Sequence, residues 1–378
     1  MNTDQAPGWL PSFLVPFVTL SYPAARPAVP DDSFPDTNYY GSGVLDGCLM
    51  ITFIIVAAVL RDVARLWILE PFATWKLTRD LRSRKRANAR RVQQKEKADD
   101  AANGNGHVSH DHGNGHATHT NGNDHVAVAD DHISKKEARK LHKSVLRFAE
   151  QGWSFIYYSF VWSLGLYVHR HLPTRLLDPI DVWPNYPHIP LAGPIKFYYL
   201  LETSFYAHQI LVINAEARRK DHWQMMTHHV ITVCLMVTSY FYNYTRIGCL
   251  IMFLMDWCDI WLPLAKMLRY MAFSTLCDIL FVWFMVSWAI TRHWLFVLAI
   301  IATWNAEHVI PPALGSRTWA LYDHRRTQRI LFYAHFSRAM WFYMICRIAY
   351  RVATGQGAED ERSDDEDGDR DVKSKKTR

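Results

Sequence analysis

Two adjacent histidines, His228 and His229, lie near the start of one apolar run, and two aspartates, Asp256 and Asp259, sit inside the next. An ionisable side chain in a segment apolar enough to cross a bilayer is costly unless paired or wetted, so its presence there points to a site. Three chemistries suit these residue types. Interhelical hydrogen bonds would fasten two helices at about 1 kcal/mol each, although such glue does not require four ionisable groups. Imidazole titrates near neutrality, and a carboxylate bonded to one ring nitrogen fixes the tautomer, which suits general acid/base work. Two imidazoles with two carboxylates also form a metal-ligand set. Spacing alone leaves catalysis and metal binding equally open.

Helix geometry tests whether these groups can meet. With Arg246 at a membrane interface, Asp256 and Asp259 lie about 15 and 20 Å along one helix, and His229 about 25 Å along its antiparallel neighbour. Asp256 and Asp259 share a face, whereas His228 and His229 point about 100° apart and are not expected to do the same job.

The elements that must position them are membrane helices. The chain of 378 residues is 49% hydrophobic and 14% aromatic, and its mean hydropathy of −0.12 reflects polar segments diluting long apolar runs. Candidate spans run over Leu45 to Ile68, Phe148 to His169, Phe197 to Asn214, Met226 to Tyr242, Ile247 to Met267, Leu276 to Thr303 and Ile330 to Ala349. The fold class is therefore all-α, a polytopic bundle of about seven transmembrane helices. Glu202, Ser204, His208 and Gln209 make the third span too polar to face lipid all round, so part of it should face the interior. Pro263 is a candidate kink in the fifth.

The expected organisation is an irregular lead over 1–44, a first span over 45–68, a linker over 69–133, a transmembrane domain over 134–350 and an acidic tail over 351–378. The lead lacks the pattern of a signal peptide. The linker begins basic (Arg82, Arg84, Lys85, Arg86, Arg90, Arg91) and passes into a Gly, Asn and His tract that cannot bury a core, so disorder is expected. Its seven histidines are irregularly spaced, with no cysteine or supporting shell, and are not read as a metal site. From Ser134 to Phe148 a basic amphipathic helix is expected on the membrane surface.

The net charge of +6 comes from clustered bases without a nucleic-acid module, so no nucleic-acid partner is expected; the basic cluster is a topology signal that meets anionic membrane lipids. The six cysteines show no metal or disulfide spacing and are read as small buried hydrophobes. The balance of bases places the linker, Arg218-Arg219-Lys220 and the tail on the cytosolic side, with Arg325, Arg326 and Arg329 dissenting.

The stretch Lys220-Asp221-His222-Trp223-Gln224-Met225 through His228-His229, then Thr232, Ser239-Tyr240, Gly248, Met255-Asp256, Asp259 and Leu264-Ala265-Lys266 to Tyr270, resembles the signature of the ceramide synthases, with a fungal-like cast. The resemblance extends through Trp183-Pro184-Asn185-Tyr186-Pro187 and Lys196-Phe197-Tyr198-Tyr199-Leu200 to roughly residues 140–350, the TLC domain. It implies transfer of a fatty acyl group from acyl-CoA to a sphingoid base (sphinganine or phytosphingosine), with His228, His229, Asp256 and Asp259 as catalytic residues. Arg218, Arg219 and Lys220 are then candidates for the CoA phosphates, besides being a topology anchor. No cofactor or metal is implied, since acyl-CoA is a substrate. The residues at 78–147 do not match the homeobox-like insert of some vertebrate members.

Expected partners are acyl-CoA, the sphingoid base, membrane lipids, and either a homodimer mate or a small accessory membrane subunit. The competing readings are a non-enzymatic TLC-fold membrane protein and a metal-dependent ceramide amidase. In the tail, Ser363 lies among acidic residues and suits an acidophilic kinase, while Lys375 and Lys376 fit a dilysine signal for retrieval to the endoplasmic reticulum membrane, which requires a cytosolic C-terminus.

Overall fold

A computed structural model describes residues 6–103, 133–215 and 222–306, together with positions 343, 346, 347, 350 and 354. The short helix α1 (Val15–Val18) leads into strands β1 (Pro23–Ala24) and β2 (Tyr39–Tyr40). Helix α2 (Asp46–Val63) continues through a π-helical turn, Ala64–Leu69, into α3 (Glu70–Asn103). Then come α4 (Lys135–Arg170), β3 (Leu191–Ala192), α5 (Gly193–Ala215), α6 (His222–Phe241), α7 (Thr245–Tyr270) and α8 (Ser274–Trp288), which passes through a second π-helical segment, Ala289–Leu295, into α9 (Phe296–Asn305).

Three helices among the described residues are long and apolar enough to cross a membrane: Asp46–Asp99, Thr245–Tyr270 and Ser274–Asn305. Only 6% of the apolar window of the first is buried, so that window faces outward, as a lipid-facing helix does. At 1.5 Å per residue this rod is about 80 Å long, well over twice a bilayer's hydrocarbon core, so its charged half extends beyond it. The expected spans over 148–169, 197–214 and 226–242 are also helical but carry more polar groups, and the one over 330–349 lies almost wholly outside the described residues. The protein is a helical membrane protein; the expected number of crossings is not fixed by these helices. Pro263 sits inside α7 without ending it.

Two sequence expectations differ from the structure. The first part of the segment read as a disordered linker is the helix α3. It is dense in Arg, Lys, Ala and Gln, which favour helix, and Lys76 pairs with Asp80 one turn on at 3.1 Å. Lys85 reaches Glu137 at 2.7 Å and pins α3 to the start of α4. Ser134 and Glu137 form a reciprocal capping box there, and α4 then runs unbroken to Arg170 rather than breaking between a surface helix and a span. The tract 104–132 lies outside the described residues.

The lead 1–44 is also less irregular than expected. β1 and β2 pair antiparallel, and β2 pairs with β3 so that Tyr39 faces Ala192 and Tyr40 faces Leu191. Beneath this small sheet Lys196, fully buried, meets Asp46 at 2.7 Å and donates to the carbonyls of Ser21 and Gly41. The Tyr240 hydroxyl donates to the same Asp46 at 2.7 Å. The lead therefore ties α2, α5 and α6 together at one end of the bundle. Of the cysteines, Cys249, Cys258 and Cys277 are buried as expected, whereas Cys234 and Cys346 are exposed.

Candidate active site

Helices α5, α6, α7 and the second π-helical segment bring the ionisable groups together. The two histidines diverge: His228 is exposed among the described residues, His229 is buried, and their rings lie at 85° to one another. This is the separation expected of neighbouring helical positions. His229 Nδ1 lies 2.8 Å from the carbonyl oxygen of Met225. A carbonyl only accepts, so Nδ1 carries the hydrogen in that bond and Nε2 keeps a lone pair in the neutral ring. The ring of Tyr206 on α5 stands 6.0 Å away, centre to centre.

On α7, Asp256 is fully buried, while Asp259 retains some access to solvent. Asp259 lies within electrostatic reach of His229. Its Oδ1 accepts from Arg292 Nη2 at 2.7 Å, and the same nitrogen donates to the Met255 carbonyl, also at 2.7 Å. The guanidinium also lies over the Trp288 ring, 4.0 Å from its centre. Arg292 is absent from the sequence-based expectations. Its signal was an arginine inside the apolar run 276–303, where a charge ordinarily marks a pathway or a partner. The π-helical turn that carries it adds a residue to the helix and re-aims the side chain towards α7.

Glu202, Ser204 and His208 are buried, so the polar face of α5 turns inward as expected. Glu202 lies beside Asp256, within hydrogen-bonding reach, and senses its charge. Close helix approach relies on two glycines. A Cβ at Gly165 of α4 would come within 2.8 Å of the Tyr198 hydroxyl, and one at Gly248 of α7 would strike the Tyr199 hydroxyl, which is hydrogen-bonded to Ser239. Among the described residues no three His, Cys, Asp or Glu side chains are grouped to hold a metal ion. Arg218, Arg219, Lys220, Ser363, Lys375 and Lys376 lie outside the described residues.

An outward apolar surface around an interior histidine, carboxylates and an arginine defines a helical membrane protein with a buried polar centre. The family model of the TLC domain matches residues 147–347, more than half of the 378 residues and all of this centre. The chain belongs to the TLC-domain family. Its relatives include a sphingosine N-acyltransferase of Schizosaccharomyces pombe, 38% identical over 238 residues, and a ceramide synthase of Gibberella moniliformis, 34% identical over 259 residues; each match takes in 61% of this chain and 60% of the relative. Ceramide synthase 4 of Homo sapiens is 31% identical over 226 residues, 59% of this chain and 55% of the relative. The chain thus spans about 60% of the length of the first two.

Proposed function

We propose that this protein is an acyl-CoA-dependent N-acyltransferase of sphingoid bases, a ceramide synthase. The observation that carries the proposal is His229, whose Nδ1 is committed to the Met225 carbonyl and whose Nε2 is left as a base, in reach of an arginine-held aspartate. The names of the relatives supply the reaction type.

In this reading Nε2 takes a proton from the amine nitrogen as that nitrogen attacks the thioester carbonyl. Collapse of the tetrahedral oxyanion expels the thiolate, which receives the proton from the imidazolium, so the products are amide and free CoA thiol. Asp259 stabilises the transient imidazolium, and Arg292 is a positioning residue that holds Asp259. His228, on the neighbouring face, donates to the oxyanion, or carries the acyl group as an acyl-imidazole if it is the nucleophile. Mass spectrometry after exposure to acyl-CoA alone separates these roles: an acyl adduct on His228 marks the nucleophile.

The reading includes Arg218, Arg219 and Lys220 at the CoA phosphates, chemistry without a metal ion, residence in the endoplasmic reticulum membrane with a cytosolic C-terminus, retrieval through Lys375 and Lys376, and phosphorylation at Ser363. A homodimer or a small accessory subunit completes the assembly. The test is ceramide formation by the purified chain from acyl-CoA and sphinganine, before and after strong chelation. Absence of product from the folded protein overturns the function, and chelator inhibition reversed by zinc overturns the metal-free step.

A further inference from the structure

The acyl-transfer step leaves a second set of buried polar groups unused. Glu202 and Asp256 are both 0% exposed and lie within hydrogen-bonding reach of one another, and neither carboxyl makes a hydrogen bond of good geometry among the described residues. The hydroxyls of Tyr157 on α4 and Tyr198 on α5 are buried there too: among the described residues neither makes a hydrogen bond of good geometry, and that of Tyr198 lies within reach of Asp256. Each phenol senses the charge of both carboxyls, and the carboxyls lie within hydrogen-bonding reach of one another, so the groups share one region. Gly165 lets α4 come up against the Tyr198 hydroxyl.

Buried polar atoms in native proteins are ordinarily satisfied. Two neighbouring carboxyls in an apolar interior are costly when charged unless a cation is shared between them. The guanidinium whose charge Asp256 senses, that of Arg292, is bonded to Asp259 and to the Met255 carbonyl instead. The set is thus two adjoining acidic groups that attract a cation when ionised, beside two phenols that both donate and accept. That combination matches an ammonium flanked by hydroxyls.

We propose that Glu202, Asp256, Tyr157 and Tyr198 form the headgroup site for a long-chain amino alcohol. The carboxyls hold its ammonium and the phenols bond its hydroxyls. The site also prepares the nucleophile: one N–H bond of the ammonium breaks, its proton forms an O–H bond on an ionised carboxyl of the pair, and a neutral amine with a free lone pair is left beside the His229 centre. This deepens the acyl-transfer reading and rests on it for the fate of the amine.

The experiment uses the full chain in detergent and follows thermal unfolding with sphinganine, with its neutral N-acetyl derivative, and with sodium or potassium chloride. Sphinganine alone is expected to raise the melting temperature. In Glu202→Gln its apparent affinity should fall roughly 10-fold or more, the loss expected for one charge-assisted bond, with acyl-CoA binding unchanged. Equal stabilisation by the N-acetyl derivative overturns the site, as does an effect of the alkali cations that sphinganine does not exceed, or unchanged affinity in Glu202→Gln. Should that variant fail to fold, Tyr157→Phe with Tyr198→Phe must reduce the preference for sphinganine over a long-chain amine lacking hydroxyls; an unchanged preference likewise overturns the site. Protein that binds sphinganine yet forms no ceramide overturns acyl transfer and leaves the site standing. Ceramide formation with a normal amine KM in Glu202→Gln does the reverse.

Discussion

Arg292 Nη2 bonds Asp259 Oδ1 and the Met255 carbonyl at the same distance, 2.7 Å, so one nitrogen ties the second π-helical segment to both a carboxylate and the backbone of α7. The bond to the backbone fixes where the guanidinium sits, and the guanidinium in turn fixes Asp259.

Removing this tie leaves an unpaired carboxylate in a mostly buried setting, which costs about 3–5 kcal/mol when one partner of a buried pair is lost. Arg292→Ala should therefore destabilise the fold and, because Asp259 is no longer held for the step that builds charge on His229, lower kcat by roughly 100-fold or more while leaving KM for acyl-CoA nearly unchanged. Arg292→Lys should recover part of the rate, since it restores the charge but not the planar guanidinium that lies over the Trp288 ring. A steady-state split of kcat from KM in the two variants is the measurement, and a loss confined to KM would contradict a positioning role.

Both histidines should be required for turnover. His229→Ala removes the buried ring with its Nε2 lone pair and should abolish turnover with membrane insertion intact. His229→Gln should not rescue it, because an amide is no base. His228→Ala, at the exposed neighbour, should retain binding of both substrates while turnover is lost. Near-normal turnover in both alanine variants, measured as ceramide per folded protein, would remove the histidines from the chemistry.

What was legible beforehand follows from what a local pattern can carry. His228, His229, Asp256 and Asp259 stood out because ionisable groups interrupt apolar runs, and a turn of 100° per residue already separated the two rings. The inward face of α5 was legible for the same reason at Glu202, Ser204 and His208. Arg292 was not, because its partner lies 33 residues away and its own run read as a span on average apolarity. Nor was the small sheet: two-residue strands leave no alternation to read, and Tyr39 finds its partner at Ala192, far along the chain. The helix α3 was missed because charge density was weighed above helix propensity.

Gly248 is needed for the approach of α7 to α5. Adding a Cβ there strikes the Tyr199 hydroxyl, whose freedom to move is limited by its hydrogen bond to Ser239. Gly248→Ala should destabilise the protein by about 1–3 kcal/mol, the range for overpacking a filled interior. Tyr199→Phe in the same chain should recover part of the loss by removing the oxygen that is struck first. Thermal unfolding of both singles and the double gives the coupling, and strict additivity would show that the two side chains do not meet.

The connector before α5 carries a pH dependence of known sign. His188 Nε2 donates to the Pro184 carbonyl at 2.8 Å. Burial, reinforced by the Arg246 guanidinium and opposed by the Pro184 bond and Asp31, lowers its pKa to about 4 from the ordinary 6.5. The unfolded chain then binds more protons than the folded one between these two values, so stability rises with pH through that window. The contribution is complete above pH about 6.5 and is lost progressively as pH falls towards about 4. Its full size, present above pH about 6.5, is on the order of 3 kcal/mol. Thermal unfolding at pH 7 and pH 4.5 should show a fall in melting temperature that His188→Gln reduces, since glutamine can still donate to Pro184 but does not titrate. An equal fall in wild type and variant would assign the acid sensitivity to other groups.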